Sequence, residues 1–115
     1  MNLECSKLSN DVTLIKLTGA LDIAGVGAVE TTFYAHCAGT APRVVVDLAG
    51  VDFISSLGIR MLLQALKAVA AREGRLLLLN PTKTVDAALD ISGLGPHVVR
   101  GSTDEASAAL LKFSN

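Results

Sequence analysis

The chain has 115 residues, half of them apolar and 18% charged, with a formal net charge of −1 at pH 7. A chain of this length buries roughly 65% of its unfolded surface without staples, so one compact domain over residues 1–115 is expected. The near-neutral charge withholds the attraction to phosphate that drives non-specific nucleic-acid binding, and one Tyr, three Phe and no Trp leave little to stack on bases, so nucleic acid is excluded as a partner.

The start, Met1-Asn2-Leu3-Glu4, has no basic and apolar signal pattern, and no apolar run reaches the ~18 residues that span a bilayer. A cytoplasmic location without membrane insertion is expected. Leu3 to Leu8 and the alternating Val12-Thr13-Leu14-Ile15-Lys16-Leu17 read as two strands of a hairpin around Ser9-Asn10-Asp11, with Gly19 stopping the second. From Ala24 the period becomes helical: Val26, Val29, Phe33 and Cys37 share a face, Asp22 is a natural N-cap and Gly39 a terminator. Gly25 and Gly27 each weaken the first turns by about 1 kcal/mol relative to Ala, so this helix start is either mobile or held by packing.

Arg43 to Leu48 is a continuous apolar run, the pattern of a central strand covered on both faces, with Asp47 as a strand-end cap and Asp52 as a turn former. Ile59, Leu62, Leu63, Leu66, Val69 and Ala70 trace one helical stripe, closed by Arg72 and by Gly74 as the C′ glycine. Arg75 to Leu79 is a second buried strand, stopped by Asn80-Pro81. Thr82 caps a short helix through Val85 and Leu89 that ends at Gly93, and Ser102 with Glu105 forms a capping box before a last helix carrying Ala106, Ala109, Leu110 and Phe113. Strand, helix, strand, helix, strand in this order predicts an α/β fold, parallel in the middle of its sheet and antiparallel at the hairpin edge.

Cys5 and Cys37 lack CxxC spacing; buried free thiols are expected, with no disulfide and no metal. The candidate site lies between the central strand and the second helix, where Ser55-Ser56 interrupts the apolar pattern. A loop leaving the carboxyl end of a parallel strand for a helix is where α/β proteins put ligands. One serine can cap the helix for about 1 kcal/mol; an exposed hydroxyl backed by free N–H groups and the helix dipole can also carry a phosphate. Gly58 allows another chain or a phosphate to approach the backbone. A nucleophilic serine fits poorly: no G-x-S-x-G elbow is present, and the positions of His36 and His97 place neither imidazole beside Ser56. The P-loop pattern is absent, and no cofactor or nucleotide is indicated.

Gly19-Ala20-Leu21-Asp22, Val45-Val46-Asp47-Leu48 leading to Val51-Asp52-Phe53-Ile54-Ser55-Ser56-Leu57-Gly58, and Asn80-Pro81 followed by Ile91-Ser92-Gly93-Leu94 together resemble the STAS domain, and more narrowly the bacterial anti-sigma factor antagonists. The resemblance implies a four- to five-stranded mixed sheet packed with about four helices, and a regulatory serine two residues before a glycine. That position is Ser56. Members often have an acid before the serine pair; its absence here makes Ser55 a second candidate acceptor. The implied partners are an anti-sigma factor that is a serine kinase, docking on Asp22, Ser55, Ser56, Leu57, Gly58 and Arg60, and a PP2C-type phosphatase that resets the phosphorylated form. The alternative is a constitutive scaffold subunit of a larger lipid-transport or stressosome-like assembly, in which Ser56 serves only as a cap. Asp22 as an N-cap and Arg60 as a solvated helix residue also have these plainer explanations.

Overall fold

In the computed structural model, which describes residues 1–112, the opening hairpin forms as its alternation predicts. β1 (Asn2–Lys7) pairs antiparallel with β2 (Thr13–Leu21) across a 3-10 turn at Ser9–Asp11. β2 then pairs parallel with β3 (Arg43–Ile54), β3 with β4 (Arg75–Leu79) and β4 with the two-residue β5 (Val98–Val99). The result is a five-stranded mixed sheet in the order β1-β2-β3-β4-β5. Four helices complete an α/β fold: α1 (Ile23–His36), α2 (Ser56–Ala71), α3 (Lys83–Ile91) and α4 (Thr103–Lys112).

Strands that follow one another in both sequence and space, joined by right-handed crossovers, must place every crossover helix on the same face. The core obeys this rule. Val26, Val29 and Phe33 of α1, Met61, Leu62, Leu66 and Val69 of α2, and Val85 and Leu89 of α3 share one cluster with Ile15, Leu17, Val44, Val46, Leu76 and Leu78 of the sheet. α4, which follows the last strand and is free of that constraint, covers the other face by packing Ala106 and Leu110 on Val12, Val45, Leu77 and Leu79. Both faces of β3 and β4 are therefore buried, which is why Val44-Val45-Val46 and Leu76 to Leu79 run without alternation. Each buried Leu or Val in these runs contributes about 1.5–3 kcal/mol of apolar burial.

Several expectations need correction. Gly19 does not stop β2: at φ +111° it takes a conformation open mainly to glycine, the register with β3 shifts between Gly19 and Ala20, and the strand continues to Leu21. Asp47 does not end β3. Its carboxylate accepts the Ala49 N–H at 3.0 Å inside a strand that runs on through Asp52 to Ile54 alongside β2. At the end of α2, Arg72 is the C-cap and Glu73, at φ +61°, takes the left-handed position; the Gly74 N–H reaches back to the Val69 carbonyl at 2.9 Å. Gly74 is small for a different reason, since a Cβ there would collide with Pro42. Ala70 is exposed, whereas Met61 and Ala65 join the buried face of α2. Cys37 is buried as expected, but Cys5 is exposed because β1 is an edge strand. Phe113 lies outside the described residues.

The caps form as read. Ser102 and Glu105 exchange reciprocal bonds of 2.9 and 3.1 Å, and Thr82 accepts the Val85 N–H at 3.5 Å while its hydroxyl donates to the Val51 carbonyl at 3.3 Å. No helix among the described residues is long and apolar enough to cross a membrane.

Candidate functional site

The carboxyl ends of β2 and β3 lie side by side, Leu21 paired with Ile54, and each strand passes directly into a helix. Asp22 is the single connecting residue into α1 and Ser55 the single connecting residue into α2. Two helix N-termini thus open at the same end of the sheet. Asp22 Oδ1 accepts the Gly25 N–H at 2.8 Å, and Gly25 is pinned close, because a Cβ there would collide with the Ala20 carbonyl oxygen. The glycine-rich start of α1 is therefore held by packing.

The two serines have different environments. Ser55 is half-buried in extended conformation: its hydroxyl donates to the Leu21 carbonyl at 2.7 Å and accepts the Gly58 N–H at 3.3 Å, while its own N–H donates to the same Leu21 oxygen at 2.9 Å. The hydroxyl therefore bridges the end of β2 to the first turn of α2. Ser56 is the first residue of α2 and is exposed, and among the described residues its hydroxyl has no hydrogen-bond partner. The cap is Ser55 alone. The first turn of α2 contains no acidic side chain, so nothing on the helix itself offsets the positive end of its dipole.

Gly58 is buried, and a Cβ there would stand 2.7 Å from Ile54 Cγ1 and 2.9 Å from the Leu21 oxygen. Its smallness is accounted for by the close approach of α2 to the strand ends. Leu57 is 40% exposed beside Ser56, and Arg60 is exposed four residues after Ser56, on the same side of the helix. Asp22, Ser55, Ser56, Leu57, Gly58 and Arg60 are thus all placed around one end of the sheet. Two apolar neighbours were not singled out from sequence: Ile23, 74% exposed at the start of α1, and Phe53, 49% exposed near the end of β3. Phe53 was hidden by its spacing, since strand alternation places it with buried Val51, and only the register shift that pairs Gly19 with Val51 and Ala20 with Phe53 turns it outward. Ile23 was hidden in the same way, because it lies in phase with Val26.

Residues elsewhere do not join this end. His36 closes α1, about 20 Å along the helix from its start. His97 lies in a 3-10 turn at Gly95–His97 beside Arg75; burial and the Arg75 charge both push its pKa below the ordinary value. Tyr34 donates to Gln64 Oε1 at 3.0 Å between α1 and α2, and its pKa is pushed up by burial and by Glu30, against a lowering effect of Arg60. Burial, aided by Cys5, pushes the Cys37 thiol up to about 12. Among the described residues no group of three or more His, Cys, Asp or Glu could hold a metal ion.

The chain is 28% identical over 107 residues to the anti-sigma F factor antagonist of Lysinibacillus sphaericus, a match that spans 92% of each protein. Its fold is similar to that of the anti-sigma factor antagonist SpoIIAA in its unphosphorylated form, with a TM-score of 0.82 and 25% identity over 99% of this chain and 100% of that one. The phosphorylated form of SpoIIAA, a Bacillus cell fate determinant, matches with a TM-score of 0.75 and 24% identity over 94% of this chain and 98% of that one. The family model of the STAS domain matches residues 6–108, and the chain belongs to the STAS domain family.

Proposed function

We propose that this chain is an anti-sigma factor antagonist whose partner choice is switched by phosphorylation of Ser56. The observation that carries the reading is the unequal commitment of the two hydroxyls: that of Ser55 is used in the helix cap and the bond to Leu21, while that of Ser56 is exposed and unengaged among the described residues. The antagonist name of the Lysinibacillus relative and the two forms of SpoIIAA support it.

In the unmodified form, Asp22, Ser56, Leu57 and Arg60, widened by the exposed Ile23 and Phe53, form the docking surface for an anti-sigma factor that is itself a serine kinase, while buried Gly58 serves it only by letting α2 sit close to the strand ends. Binding releases the sigma factor. Phosphate on Ser56 adds about −1.5 to −2 charge and three acceptor oxygens on that surface, beside the apolar Leu57, and complex formation must desolvate them. Within the antagonist the same charge is tolerated, since it sits at the N-terminus of α2 and four residues before Arg60. Affinity falls while the fold persists, and a PP2C-type phosphatase restores the binding form. The chain performs no catalysis of its own.

Incubation with its cognate kinase and ATP, followed by peptide mass spectrometry, tests the assignment. Phosphate is expected on Ser56 and not on Ser55, whose modification would remove the hydroxyl donor to Leu21. Incorporation at neither serine favours the constitutive scaffold.

A further inference from the structure

A cavity of about 320 Å³ lies between the second half of α2, the start of β4 and the turn that precedes β5. Its volume is at the lower end of the range for small-molecule pockets, about 300–1,000 Å³. Leu66, Leu76 and Leu94, already buried by the fold, form its floor, and half-buried Leu63 with exposed Ala70 supplies the apolar surface that still faces it. Lys67, Arg75 and His97 supply the polar groups, and no carboxylate is among its described lining residues. His97, held below its ordinary pKa by burial and by Arg75, is a neutral N–H donor at pH 7, so the positive charge comes from Lys67 and Arg75. An uncharged apolar ligand would make no use of the Lys67 charge, and a purely ionic one would leave the exposed part of Leu63 and Ala70 uncovered.

We propose that this cavity binds a small amphipathic anion of the medium-chain alkyl carboxylate class, its chain on the leucines and its carboxylate between Lys67 and His97. The site is separate from Ser56, because Lys67 is eleven residues further along α2, about 16 Å by helical rise, and it does not rest on the phosphorylation reading.

The test is titration of the ¹⁵N-labelled full chain with sodium octanoate below its micelle concentration, monitored by amide chemical shifts. Saturable shifts are expected around residues 63–76 and 93–97. Lys67→Glu should weaken binding at least fivefold, and Ala70→Phe, an exposed position on the cavity wall, should block it. Both substitutions are at exposed positions, so spectra elsewhere should be unchanged. Octylammonium at the same concentrations should produce no saturable shift. Absence of saturation with octanoate, equal binding of octylammonium, or unaltered affinity in both variants would overturn the proposal.

Discussion

The Ser55 side chain and the Leu21 carbonyl form the joint between two strand-to-helix connections: hydroxyl to oxygen at 2.7 Å, with the Ser55 N–H on the same oxygen at 2.9 Å. This joint fixes the N-terminus of α2 against the end of β2 and leaves Ser56 facing solvent. Ser55→Ala should destabilise the fold by about 1–2 kcal/mol through loss of the cap and of one Leu21 partner. Ser56→Ala should stay within about 0.5 kcal/mol of wild type. Thermal melts of the two variants side by side measure the difference, which corresponds to a gap of roughly 4–8 °C.

Gly58→Ala and Gly27→Ala should have opposite signs. At Gly58 the added methyl meets Ile54 Cγ1 at 2.7 Å and the Leu21 oxygen at 2.9 Å, so α2 must shift from the strand ends at a cost of about 1–3 kcal/mol. Gly27 is exposed inside α1, and a methyl added there would meet nothing within 4 Å, so the same change should stabilise by about 1 kcal/mol. Urea denaturation midpoints check both.

Asp22→Ala should lower stability by about 1 kcal/mol, because the Gly25 N–H loses its 2.8 Å acceptor. A docking role adds a second effect. Asp22→Asn keeps an oxygen cap but removes the charge, so as a partner contact it should weaken binding of the anti-sigma factor while its melt stays near wild type, whereas a cap alone would leave binding by this variant unchanged. Calorimetric titration set beside the melts separates cap from contact.

Alkaline pH should expose the burial of Cys37. Its thiol, pushed up from 9.0 to about 12 in the fold, keeps its proton there while the unfolded chain loses it. Stability from this group is complete below pH 9 and declines as pH rises toward 12, by up to about 1.4 kcal/mol per pH unit. Cys37→Ala should flatten the decline in urea midpoints between about pH 9 and about pH 10.5 relative to wild type, whatever its effect at neutral pH. Exposed Cys5 should also react with iodoacetamide well before Cys37 does in the native protein.

Periodicity exposed most of this fold. The stripe Leu62, Leu66 and Val69 and the alternation in β2 are direct imprints of burial on one face, and the unbroken apolar runs of β3 and β4 of burial on both. Sequence failed where polar or flexible residues sit inside regular structure. Gly19 looked like a stop but accommodates a register shift, and Asp47 and Asp52 looked like a strand end and a turn former but lie within β3, which extends beyond its pairing with β4. At the site, either serine could be the cap, because a helix start is ambiguous by one residue until the Leu21 carbonyl is seen accepting from Ser55. The apolar surroundings of Ser56 were only partly legible, since exposure of Ile23 depends on where α1 sits relative to the sheet and not on its spacing from Val26.

The most direct test of the central claim is calorimetric titration of the cognate anti-sigma factor kinase with unmodified protein and with protein carrying phosphoserine at position 56, each shown by its melt to be folded. The account predicts at least a tenfold loss of affinity on phosphorylation with little change in the melt; equal affinities for the two forms would contradict it.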